Sequence, residues 1–237
     1  MDTANFRPYR GAWSRPETGT RTTARVQHSP QNTPTFSWSD SMRKKTGVAA
    51  VALGVAAASL FTSTSASGHG YTDSPISRQK LCANRTVTNC GDIQWEPQSV
   101  EGLKGFPAAG PADGRICAGG NSRFAQLDDP RGGAWPTTRL TAGQSHTFRW
   151  QFTARHATTD FRYYITRNGW TGTKALTRAD LDTQPFLVVP YNSQQPPSTL
   201  SHSGTIPAGK TGRHLILAVW TVADTGNAFY ACSDVQL

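Results

Sequence analysis

The sequence predicts an all-β protein: an immunoglobulin or fibronectin type III-like β-sandwich with a large loop and short-helix insertion between its first strands. Three observations carry this. His146, Phe148, Trp150 and Phe152 alternate with Thr147, Arg149 and Gln151, the two-residue period of a half-buried strand. Phe161, Tyr163 and Ile165 alternate with Arg162 and Tyr164 in the same way. Leu215 to Thr221 is a continuous apolar run, Leu-Ile-Leu-Ala-Val-Trp-Thr, suited to a central strand.

Phe186 to Val189 and Phe229 to Val235 add two further strands, with Gly, Pro and Asn in the gaps. Ile76 to Asp129 differs, being Gly/Pro-rich and weakly periodic. So long a stretch inside a compact domain is expected to form a functional loop region with short helices. There is no internal repeat and no linker to a second domain. The composition agrees: 36% hydrophobic residues among 237, with 22 Gly and 15 Pro, is too apolar for a disordered chain and too punctuated for a helical bundle.

The first 68 residues do not read as part of that domain. Residues 1–41 are polar and without apolar periodicity; they read as a stretch wrongly included upstream of the true start, or as a disordered leader. Met42-Arg43-Lys44-Lys45, the apolar run Gly47 to Phe61 and the small residues ending Ala66-Ser67-Gly68 make 42–68 a secretory signal peptide. The run is too short and too rich in Ala and Gly for a membrane span. A secreted, extracellular single domain over 69–237 is therefore expected.

The whole chain has 24 Lys/Arg against 15 Asp/Glu. Without residues 1–68 the balance is 16 against 12, a net +4 on 169 residues with no basic cluster. That removes the charge argument for nucleic acid. All four cysteines, Cys82, Cys90, Cys117 and Cys232, lie in the mature part, and export predicts two disulfides. Three pairings are open. The favoured one is Cys82–Cys90 as a local staple, with Cys117–Cys232 tying mid-chain to the last strand. The loop-entropy model values them at about 2.6 and about 4.7 kcal/mol. No cysteine/histidine spacing suits zinc.

Cleavage after Gly68 would make His69 the first residue, with an α-amino nitrogen and a ring nitrogen at one point. That amine has a pKa near ~8, so a metal can displace its proton at neutral pH. One more histidine completes three nitrogens in a plane, which suits Cu(II). Among His146, His156, His202 and His214, His156 stands out because it follows the strand ending Trp150-Gln151-Phe152, where a side chain can sit at the sandwich edge.

Several motifs resemble the bacterial lytic polysaccharide monooxygenases of auxiliary activity family 10, the chitin-active, chitin-binding-protein type above all. They are His69-Gly70-Tyr71, Glu96 to Pro107, Gly110 to Gly114, Thr153-Ala154-Arg155-His156, Arg162 to Thr166, Leu217 to Trp220 and Ala223 to Tyr230. The likeness runs in order from His69 to Leu237. It implies one copper ion held by His69 and His156, with Phe229 and Ala154 on the two axial sides. It also implies that Glu101 is the carboxylate just outside the ligands, and that Trp95, Glu96, Thr153, Asp224 and Asn227 form the substrate-binding face. Many relatives have tyrosine where this chain has Trp95. The Cys82–Cys90 pairing resembles the family too.

The resemblance further implies a monomeric enzyme that lies on crystalline chitin. It would take electrons from an external donor, use hydrogen peroxide or molecular oxygen, and oxidise the anomeric carbon to leave aldonic acid ends. A crystal cannot enter a pocket, so an exposed face with a stacking aromatic ring is the expected design. No carboxylate pair of the hydrolase kind is evident. Two other readings use the same residues: a non-catalytic chitin-binding protein, and a secreted copper carrier. A cellulose-active member of the family would share the copper ligands.

Overall fold

The computed structural model describes residues 68–237; the leader and signal-peptide readings over 1–67 lie outside the described residues. Among the described residues, nine strands form two sheets. The smaller has the order β1 (His69–Ser74), β4 (Ser145–Ala154) and β7 (Thr199–Thr205). The larger runs β2 (Glu101–Leu103), β9 (Asn227–Gln236), β8 (Arg213–Val222), β5 (Thr158–Ile165) and β6 (Leu187–Gln194). The two-residue β3 (Thr138–Arg139) lies parallel to the far end of β9. This is the expected β-sandwich, with every long-strand pairing antiparallel.

Between the sheets lies an aromatic core. Phe148, Trp150 and Phe152 from β4 meet Phe161 and Tyr163 from β5, Trp220 from β8 and Phe229 from β9. Two polar edges inside it find partners: Trp150 Nε1 donates to the Tyr163 hydroxyl at 3.1 Å, and Trp220 Nε1 donates to Thr158 Oγ1 at 2.7 Å. The outer face of the larger sheet is covered as well. Leu215, Leu217 and Val219 alternate with Ile216, Ala218 and Trp220, and the first set packs under the insertion. That is why the Leu215 to Thr221 run is apolar throughout.

It also explains one departure from the alternation. Tyr164, placed by its period on a polar face, is buried, with its hydroxyl donating to Phe106 O at 3.3 Å. The insertion roofs that face. Strand β7 has no sequence signal, because Thr-Leu-Ser-His-Ser-Gly-Thr is small and polar at an edge that buries little besides His202.

The insertion carries the helix α1 (Arg78–Ala83) and 3₁₀ turns at Gly91–Gln94 and Ser122–Leu127, as its composition suggested. Both disulfides are the favoured pair: Cys82–Cys90, and Cys117–Cys232 joining the insertion to β9. Beside the second bridge, Arg78 Nε donates to Asp234 Oδ2 at 2.7 Å with the two side chains 3% and 0% exposed. Arg213 reaches the other carboxylate oxygen at 2.9 Å. One glycine makes the docking possible. A Cβ on Gly102 of β2 would lie 2.1 Å from Gly119 O, so only glycine lets the two backbones meet.

Candidate metal centre

Four segments meet at one end of the sandwich. β1 begins there with His69, whose register partner is Ala154 at the end of β4. His156 follows in the β4–β5 turn and is buried, its side chain 5% exposed. β9 brings Phe229 to the same end, and its register partner on β2 is Glu101. Gly68, the residue before His69, lies against three rings. A Cβ there would stand 2.8 Å from His156 Cδ2, 2.9 Å from Phe229 Cε2 and 3.1 Å from Trp220 Cη2. The main chain just before His69 thus lies against the Cδ2 edge of the His156 ring.

The opposite edge of that ring has its own partner: Nδ1 lies 3.3 Å from Asp224 Oδ1. Asp224 sits in the β8–β9 turn, half exposed. Three residues past it, Asn227 donates from Nδ2 to Glu101 Oε1 at 2.8 Å. Phe229 is buried with its ring stacked on Trp220 at 4.7 Å between centroids. His69, Ala154, His156, Glu101, Asp224, Asn227 and Phe229 therefore form one connected group.

Trp95 and Glu96 stand at the end of the Gly91–Gln94 turn. Their loop is pinned to the start of β1 by the Gly70 amide, which donates to Gln98 O at 3.0 Å. Trp95 is 70% exposed, with the Arg85 guanidinium 5.9 Å from its ring centre. Glu96 is paired with Arg123 at 2.5 Å. Thr153 is exposed on β4, one residue from Ala154. Beside Glu101 opens a cavity of about 540 Å³, lined by Ser99, Glu101, Leu103, Pro111, Arg115 and Asn227 among others. Leu103, 67% exposed, stands at its edge.

Sequence reasoning missed three participants. Trp220 is hidden in an apolar run that reads as ordinary core. Arg123 reaches Glu96 across 27 positions. Lys104 donates from Nζ to the carbonyls of Val222 and Thr225, and its amide donates to Gly226 O. No local pattern marks any of these contacts.

The family model described as "Lytic polysaccharide mono-oxygenase, cellulose-degrading" matches residues 69–235. The chain belongs to that family. A solved auxiliary activity family 10 lytic polysaccharide monooxygenase from Streptomyces lividans is 67% identical, covers 71% of this chain and 100% of its own, and superposes with a TM-score of 0.70. A Bacillus amyloliquefaciens member, described in complex with Cu(I), is 38% identical over 71% of this chain and 99% of its own, with a TM-score of 0.65.

Among curated relatives, "GlcNAc-binding protein A" of Shewanella oneidensis is 44% identical over 82% of this chain and 41% of its own length. "AA10 family lytic polysaccharide monooxygenase C" of Mycosarcoma maydis is 46% identical over 77% and 56%. The chain thus spans about half the length of these curated relatives.

As a lytic polysaccharide monooxygenase domain, the chain has donors that suit one small tetragonal ion. Among the described residues no group of three His, Cys, Asp or Glu is placed to hold a metal. A site of two histidines completed by a terminal amine needs no third side chain. Two imidazoles and an amine are nitrogen donors of the kind copper prefers, and the backbone at Gly68, just before His69, packs against the His156 ring.

Proposed function

We propose that the mature chain, starting at His69, is a secreted copper-dependent monooxygenase that binds crystalline chitin and cleaves its β-1,4 bonds by oxidising the anomeric carbon. The observation that carries this is the packing of Gly68 on His156, Phe229 and Trp220. Release of Gly68 would turn the His69 amide into an amine beside the His156 ring and clear the space between them.

His69, through its amine and ring, and His156, through its free ring nitrogen, would hold the ion. Copper bound there would take an electron from an external donor and, with hydrogen peroxide or molecular oxygen, supply the oxidant that removes hydrogen from the substrate carbon. Phe229, packed on Trp220, keeps one side of the site apolar and without a further ligand. Ala154, the register partner of His69, would leave only a single methyl group on the other side. Glu101 is held through Oε1 by Asn227, leaving Oε2 to accept a proton or a hydrogen bond. Trp95 would stack on a sugar ring while Glu96, Thr153, Asp224 and Asn227 meet its polar groups. Hydroxylation of the anomeric carbon expels the next sugar and leaves a lactone, which hydrates to an aldonic acid.

Chitin is favoured over cellulose by the GlcNAc-binding names of the curated relatives, and by the likeness of the Glu96 to Pro107 and Arg162 to Thr166 segments to chitin-active members. The names also favour a second reading, a binding protein without catalysis. The test incubates the copper-loaded chain from His69 with β-chitin and ascorbate and weighs the soluble products. Chitooligosaccharides heavier by one oxygen support the proposal. Native masses, or none, favour the binder. The same chain retaining Gly68 is expected to lose activity; undiminished activity would show that the amine is not a ligand.

A further inference from the structure

The Asp224 carboxylate belongs to the proposed substrate face, yet its hydrogen-bond partner is the buried ring of His156. His156 presents opposite edges to two neighbours: Cδ2 toward Gly68, and Nδ1 toward Asp224 Oδ1 at 3.3 Å. An aspartate carboxylate can only accept, so the proton of a neutral imidazole is drawn to Nδ1 and the lone pair is left on Nε2, the nitrogen bonded to Cδ2. The turn that carries Asp224 is held from both sides. The Ala223 amide donates to Ala157 O at 2.7 Å, next to His156 itself. Opposite, Lys104 binds the Val222 and Thr225 carbonyls through Nζ, and its amide donates to Gly226 O at 3.0 Å.

We propose that Asp224 is a positioning residue that fixes His156 in the tautomer with Nε2 free, and that Lys104 acts through the β8–β9 turn to hold Asp224 there. The inference rests on the reading of His156 as a metal ligand, but its first readout needs no metal. The clamp has a second beneficiary. The same turn leads into Asn227, which holds Glu101, so one lysine steadies both carboxylates flanking the site.

The test uses the mature chain from His69. Long-range ¹H–¹⁵N spectra of the metal-free protein read the His156 tautomer directly. The expected result is a protonated Nδ1 and a free Nε2 in the parent chain, and a mixture in Asp224→Ala. Copper affinity by calorimetry should fall roughly 10- to 100-fold in Asp224→Ala, the usual loss when a ligand's carboxylate partner is removed. Asp224→Asn keeps an acceptor oxygen in the same place and should restore most of the tautomer and the affinity. Lys104→Met keeps the stem, removes the ammonium, and should shift both readouts in the same direction by less. An unchanged tautomer and copper affinity in Asp224→Ala overturns the role of Asp224. Unchanged values in Lys104→Met overturn the clamp. Should the parent chain produce no oxidised sugars, the tautomer result still stands or falls separately.

Discussion

Trp95→Ala is the most direct probe of the proposed binding face. A tryptophan side chain buries roughly 150–250 Å² when fully covered. Trp95 is 70% exposed, and Arg85 leans on its ring, so one face is open to a sugar. About 80 Å² is then available to bury, worth about 2 kcal/mol at ~25 cal/mol per Å². That predicts a loss of about 30-fold in affinity for β-chitin. The assay is a depletion isotherm with metal-free protein, which separates binding from turnover and from oxidative damage. Trp95→Tyr should retain most of the affinity, since a tyrosine ring can stack on the same sugar. A change of less than about 3-fold in Trp95→Ala would mean that the ring does not lie on the polysaccharide, and the assignment of this face would fall.

Three further outcomes are expected. Asp234→Ala leaves Arg78 buried and uncompensated, so stability should drop about 3–5 kcal/mol and the melting temperature by roughly 6–20 °C; a calorimetric shift under about 3 °C would refute it. Burial pushes the Asp128 carboxyl up to about 6, so the folded state holds its proton more tightly than the unfolded chain does. Stability from this group is therefore greatest below about pH 4 and is lost as pH rises through 6. Asp128→Asn can still accept from the Cys117 and Ala118 amides and should flatten that part of the melting-temperature profile; an unaltered profile would clear Asp128. The double substitution Cys117→Ala with Cys232→Ala should cost about 4–5 kcal/mol in denaturant unfolding, and a loss below about 1 kcal/mol would show that the bridge constrains little.

Much of this architecture is legible in the residues because burial imposes a period. The β4 aromatics alternate as the sandwich requires, and Leu215 to Trp220 of β8 is apolar throughout because both faces there are covered. Tyr164 departs from its strand's period for the same reason: nothing in that strand signals that Phe106, 58 positions earlier, roofs it. β7 was silent since an edge strand that buries one histidine needs no apolar pattern.

The centre is legible in part. His69, His156, Glu101 and Phe229 stand in motifs and come together at one end of the sandwich. The Asp224–His156, Lys104–Thr225 and Arg123–Glu96 contacts span 68, 121 and 27 positions, and each depends on the folded path of loops. Side chains that act on other side chains leave no periodic trace.

The pairing of Glu101 with Phe229 across β2 and β9 has a mechanical consequence. Because they are opposite residues of one antiparallel ladder, the acid and the aromatic ring travel as a rigid couple when the loops around them breathe. Sliding β2 by a single position would turn the carboxylate to the other side of the sheet and strand it there. Changes in the surrounding loops therefore leave the distance between these two groups unaltered.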